Sequence, residues 1–135
     1  MIVTLDDRNN KDWHSSKLNF IKDYKYNIAI ENTLIDNYIT EKIWDPISQS
    51  VLPIYYGNDC IYKYFPRNSF IDTNNYANFE ELFDYISSLT EEDYLDRLNK
   101  CIETYNHIFE SIDFNTEYFK LLDIIVGKIK AIVSK

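Results

Sequence analysis

The chain has 135 residues and a formal net charge of −8, with a sequence pI near 4.7. That length suits a single domain over 1–135, and 45% hydrophobic residues supply a core, which excludes a disordered chain. The acidic balance excludes non-specific nucleic-acid binding through the phosphate backbone, so an anionic ligand would need a local cationic spot.

Residues 2–5 (IVTL) read as a short strand, and the polar run Asp6–Asn10 as a turn. The start shows no basic-then-apolar signal region, and no apolar run is long enough to span a membrane. The expectation is a cytoplasmic chain without a transmembrane segment. Residues 11–23 read as a helix whose apolar members are Trp13, Leu18, Phe20 and Ile21. Residues 26–30 (YNIAI) read as a buried strand.

Residues 38–50 read as a helix, with Ile39, Ile43 and Ile47 at i, i+4 and i+8. Pro46 should kink or shorten it. Residues 51–56 (VLPIYY) read as a second buried strand, with Pro53 near its start or at an unpaired position. Gly57 turns the chain, and residues 69–72 (SFID) read as a short third strand. The remainder is helical. Phe79, Leu82, Phe83 and Ile86 form one apolar stripe. Thr90, followed by Glu91, Glu92 and Asp93, opens a helix that buries Tyr94, Leu98, Cys101, Tyr105 and Ile108. A last helix over about 115–133 places Phe119, Leu122, Ile125, Ile129 and Val133 on one side, expected to pack on the sheet or on the preceding helix.

Strand–helix–strand alternation implies an α/β fold, a parallel sheet covered by helices. Ligands in such sheets sit at the carboxyl ends of the strands. Those ends are Glu31-Asn32 and Tyr56-Gly57, which makes Glu31 and Gly57 candidate lining residues. Only Gly57 and Gly127 occur as glycines, so no glycine-rich phosphate loop is possible. Cys60 and Cys101 read as free thiols, and with His14 and His107 they are too scattered for a metal cluster. Acidic pairs such as Glu80-Glu81 sit in first helical turns, where the helix dipole explains them.

The helix from Tyr38 differs. At about 100° per residue, Tyr38, Glu41 and Lys42 share a face, with Asp45 beside them. A lysine in a first turn opposes the helix dipole at a cost of roughly 0.3–1 kcal/mol. A helix N-terminus presents unpaired N–H groups that bind phosphate, and Lys42 adds a compact charge for a diphosphate. Glu41 could accept from ribose or sugar hydroxyls, and Asn32 and Tyr38 could donate to phosphate or sugar oxygens. The plainer alternative is a solvated helix face with neighbouring Glu and Lys.

At these residues a family resemblance emerges. The stretch YKYNIAIENTLIDNYITEKIWDPISQSVLPIYYG resembles the donor-binding signature of the α-1,3/α-1,4-fucosyltransferases, glycosyltransferase family ten. The family pattern runs YKF, then FEN-S, then Tyr-Val-Thr-Glu-Lys, a helix and PVxxG. The stretch YKYFPRNSFIDTNNYANFEELFDYISSLTEEDYLDRL is similar to the family's FxPxxSFIxVxDF block, so the likeness spans residues 17–98. Ala29-Ile30 replaces the aromatic position before Glu31-Asn32, and Gln49-Ser50 replaces a small-Gly pair.

The resemblance implies a Rossmann-like parallel sheet, the C-terminal half of a GT-B glycosyltransferase. It implies GDP-fucose as donor substrate and a glycan hydroxyl as acceptor, and beside the scattered Cys and His residues the expectation is no metal and no covalently bound cofactor. By motif position it implies Asn32, Tyr38, Glu41 and Lys42 as donor contacts, with the glutamate at the ribose and the lysine at the diphosphate. The acceptor half of the family, with its catalytic base and a basic residue for the diphosphate, has no counterpart here. The catalytic residue is therefore unassigned. Fucosyl transfer stands beside two other readings: a non-catalytic or split GDP-sugar module needing a separate acceptor-domain chain or self-association, and a helical interaction domain.

Overall fold

In the computed structural model, residues 12–133 are described; the strand expected at residues 2–5 lies outside them. The chain divides into two units, Met1–Tyr105 and Asn106–Lys135. The first holds a three-stranded parallel sheet in the order β1-β2-β3. Its strands are β1 (Tyr26–Ile30), β2 (Leu52–Tyr56) and β3 (Ile71–Asp72). Tyr26 to Ile30 pair in register with Leu52 to Tyr56, and Ile54 and Tyr55 pair with Ile71 and Asp72. Pro53, second in β2, has no β3 partner, so its missing N–H breaks no bond on that side.

Helix α1 (Trp13–Ile21) precedes β1, and α2 (Glu41–Ser48) joins β1 to β2. The expected helix over 38–50 is shorter at both ends. Thr40 is extended and caps α2, its hydroxyl accepting from the Lys42 N–H at 3.4 Å. At the other end, the Pro46 carbonyl accepts from both Gln49 N–H (3.0 Å) and Val51 N–H (2.9 Å), while Ser50 takes a left-handed φ of 58°. This reversal feeds the chain into β2. Ile43 and Ile47 are buried in the cluster that includes Ala29, Leu52, Tyr55, Phe70 and Ile71.

After β3 come α3 (Phe79–Ser88) and α4 (Glu91–Ser111). Asn78 caps α3 through the Glu81 N–H at 2.9 Å, and Glu81 reaches back to the Ala77 N–H at 2.8 Å. Tyr94, Leu98 and Cys101 of α4 are buried as expected, and Tyr105 is half-buried.

β1 departs from the buried strand expected. β1 is not buried on both faces: Ile28 is 59% and Ile30 49% exposed, while Ala29 between them is buried. Strand alternation sends Ala29 toward Ile43 and the two isoleucines to the opposite face. There they line an open apolar groove of about 390 Å³ with Ile54, Tyr56, Phe79 and Phe83. The α3 stripe accordingly buries only Leu82, and its two phenylalanines remain exposed.

The second unit holds the end of α4 and α5 (Phe114–Val133). Phe119, Leu122, Ile125, Ile129 and Val133 of α5 are all exposed. No helix among the described residues is long and apolar enough to cross a membrane.

Candidate donor site at the carboxyl end of the sheet

The site is built where β1 ends and α2 begins. Glu31 continues the ladder, its N–H donating to the Tyr56 carbonyl at 2.8 Å. Its side chain turns inward and is 3% exposed. One carboxylate oxygen accepts from the Thr40 N–H at 2.9 Å, and the other from the Thr40 hydroxyl at 2.7 Å. The Tyr55 hydroxyl donates to the same carboxylate at 3.3 Å. A buried carboxylate thus fixes the first residue before α2 to the strand end, and its charge lies at the favourable pole of the helix dipole. Burial, reinforced by the Glu31 charge and hydrogen bond, pushes the Tyr55 phenol far above its ordinary range, so it remains a donor.

Gly57 belongs to this arrangement. A Cβ there would stand 2.3 Å from the Tyr55 hydroxyl oxygen and 2.5 Å from two ring carbons. Its φ is not positive. The glycine is required because the Tyr55 ring passes over its Cα on the way to Glu31, a steric demand rather than a backbone one.

Lys42 lies above this layer. Its ammonium donates to the Ile30 carbonyl and to Asn32 Oδ1, both at 2.7 Å. That gives the free protein its own use for a cation in a first helical turn: the lysine closes the strand end. An ammonium has three donors, so one is left for a ligand. Glu41, in the same turn, is exposed, and its carboxylate has no partner among the described residues.

The structure therefore brings Asn32 and Lys42 into contact and presents Glu41 beside them. It buries Glu31 beneath them and puts Gly57 at the end of β2. Tyr38 is placed differently from the expectation. It precedes α2, in a turn where its N–H donates to the Ile35 carbonyl at 3.3 Å and Asn37 has a left-handed φ of 62°. The helical-face argument does not apply to it. Asp45 also leaves the ligand face: it is buried and pairs with Lys17 Nζ at 2.6 Å and His14 Nε2 at 3.3 Å, tying α2 to α1. Thr40 and Tyr55 are positioning residues outside the expected donor contacts. Thr40 carried a signal, an N-cap residue type before an acidic first turn. Tyr55 carried none, since alternation alone does not say which strand tyrosine turns inward.

The family model described as "Glycosyltransferase family 10 (fucosyltransferase) C-term" matches residues 4–110. The chain belongs to glycosyltransferase family 10. An α-(1,3)-fucosyltransferase B of Drosophila melanogaster is 41% identical over 75 residues, 55% of this chain and 17% of the relative. A GDP-fucose protein O-fucosyltransferase 3 of Canis lupus familiaris is 42% identical over 74 residues, 54% of this chain and 16% of the relative. The crystal structure of an α1,3-fucosyltransferase with GDP-fucose superposes with a TM-score of 0.55 at 38% identity, covering 61% of this chain and 25% of that one. The chain spans less than a fifth of the length of these curated relatives. As a family 10 member it has the Rossmann-like parallel sheet and flanking helices of a GT-B C-terminal half, the architecture its donor motif implied.

Proposed function

We propose that this family 10 chain forms the donor-binding part of a GDP-fucose-dependent fucosyltransferase, which moves fucose to a glycan hydroxyl with inversion at the anomeric carbon. The observation that carries the reading is Lys42. Its ammonium is positioned at a strand's carboxyl end by Ile30 and Asn32, beside the start of a helix. In this reading the ammonium and the first N–H groups of α2 hold the diphosphate and stabilise its charge as the bond to fucose breaks. Glu41 accepts from the ribose hydroxyls, and Asn32 and Tyr38 contact phosphate or sugar oxygens. Glu31, Thr40, Tyr55 and Gly57 hold Lys42 and the helix start in place. The relatives' names include both α-(1,3)-fucosyltransferase and protein O-fucosyltransferase.

The transfer also needs a base to deprotonate the acceptor. A second reading is a non-catalytic or split donor module working with a separate acceptor half. The apolar groove on the open sheet face, lined by Ile28, Ile30 and Phe83, is a surface such a half or a second copy would cover. Cys60 and Cys101 are both free and buried, in keeping with a reducing, cytoplasmic setting.

The test is calorimetric titration with GDP, UDP and ADP. Selective GDP binding is expected. Preference for UDP or ADP would overturn the donor reading. GDP binding with transfer only after an acceptor half is added would favour the split module.

A further inference from the structure

A second polar cavity, of about 310 Å³, opens along β3 between the turn before that strand and helices α3 and α4. Its volume is at the small end of ligand pockets, roughly 300–1,000 Å³. The chain's arginines are Arg8, Arg67 and Arg97, and both Arg67 and Arg97 line this cavity. In a chain with 22 acidic residues, neither guanidinium has a carboxylate within ion-pair distance among the described residues.

Both are nevertheless held in place. Arg67 is in a tight turn in which the Ser69 N–H donates to the Pro66 carbonyl at 3.3 Å and Asn68 takes a left-handed φ of 66°. Its guanidinium lies 4.3 Å from the centre of the Tyr62 ring, which in turn stacks on Phe70 at 5.5 Å. Arg97 donates to the Phe70 carbonyl at 3.3 Å and to the Tyr85 hydroxyl at 2.5 Å. An arginine has five N–H donors, so Arg97 keeps spare ones, and none of those on Arg67 is spent on a hydrogen bond to the described residues. Asp72, also in the wall, is already used: its carboxylate accepts from the Tyr62 hydroxyl at 2.5 Å and the Asn74 N–H at 2.9 Å.

Two guanidiniums without an ion-pair partner, the exposed Arg67 and the half-buried Arg97, and one occupied carboxylate leave the cavity with a net single positive charge. That balance suits a monoanion, and the planar guanidinium fork suits a carboxylate bidentately. We infer that the cavity between Arg67 and Arg97 binds a carboxylate-bearing polar molecule of about monosaccharide size, separate from the donor site at Lys42.

The experiment titrates the full chain with sodium glucuronate, with glucose as the neutral control, and follows backbone amide NMR shifts. Shifts are expected at Arg67, Asn75 and Arg97 with glucuronate alone. Arg67→Gln should weaken binding at least tenfold, and Arg67→Lys, which keeps the charge without the fork, several-fold. Lys42→Ala should leave it unchanged, which separates this site from the donor reading. Equal shifts with glucose, unaltered glucuronate affinity in folded Arg67→Gln and Arg67→Lys, or tighter binding of sodium sulfate than of glucuronate would each overturn the inference.

Discussion

Both carboxylate oxygens of Glu31 are taken by Thr40, one by its N–H at 2.9 Å and one by its hydroxyl at 2.7 Å. Thr40 lies nine positions after Glu31, and the carboxylate joins the end of β1 to the start of α2 beneath Lys42. A charged acceptor that is almost fully buried has high stakes, because its loss leaves the Thr40 and Tyr55 donors without a partner. Glu31→Gln keeps the shape but gives up the charge and one acceptor. The expected loss is about 1–3 kcal/mol of unfolding free energy. Chemical denaturation measures it, and an unchanged midpoint would deny Glu31 its positioning role.

Gly57 invites a different experiment. A methyl group at this position meets the Tyr55 ring, which is itself buried against Phe70 at 5.4 Å between ring centres. The ring has no free direction in which to yield. Gly57→Ala should therefore cost about 1–3 kcal/mol, the usual penalty for overpacking. Tyr55→Phe removes only the hydrogen bond to Glu31 and should cost about 1 kcal/mol. A larger loss for Tyr55→Phe than for Gly57→Ala would reverse the steric argument.

Cys101 gives a pH prediction. Burial pushes its thiol up from an ordinary value near 9 to about 12, against smaller downward pulls from a Ser69 hydrogen bond and Arg97. The thiol therefore stays protonated in the fold at pH 8 and should resist iodoacetamide until the chain unfolds. Above pH 9 the unfolded thiol loses its proton first, so the native state binds more protons and stability falls as pH rises toward 12. The raised Tyr55 phenol acts in the same direction at higher pH. Mass spectrometry of alkylated peptides, with and without urea, checks the first point. Native-state labelling of Cys101 would contradict it.

The parts of this fold legible in the sequence are those that local chemistry decides. β1 was bounded correctly because YNIAI is flanked by polar residues, and the start of α4 because Thr90 precedes three acids. α2 starts later than the helical period of Ile39 suggests, because a carboxylate nine residues earlier holds Thr40 in an extended conformation. No periodicity count contains that contact. The burial of β1 was overestimated for a related reason. An apolar strand does not reveal whether a helix covers each face, and here Ile28 and Ile30 face an open groove. At the site, Lys42 and Asn32 were legible as a pair at a strand end. The inward turn of Glu31 and the outward loss of Asp45 to Lys17 were not, since each depends on a partner from another element.

The central claim is that Lys42 binds the diphosphate of a GDP-sugar, and paired measurement of GDP affinity and melting temperature for wild type and Lys42→Ala tests it most directly. Removing a charge-assisted contact worth roughly 1.5–3 kcal/mol should weaken GDP binding about ten- to a hundredfold. The melting temperature should fall only slightly, because the bonds to Ile30 and Asn32 are exposed and a cation leaves the unfavourable pole of a helix dipole. Unchanged GDP affinity together with a clearly lowered melting temperature would contradict the claim and make Lys42 a strut of the strand end alone.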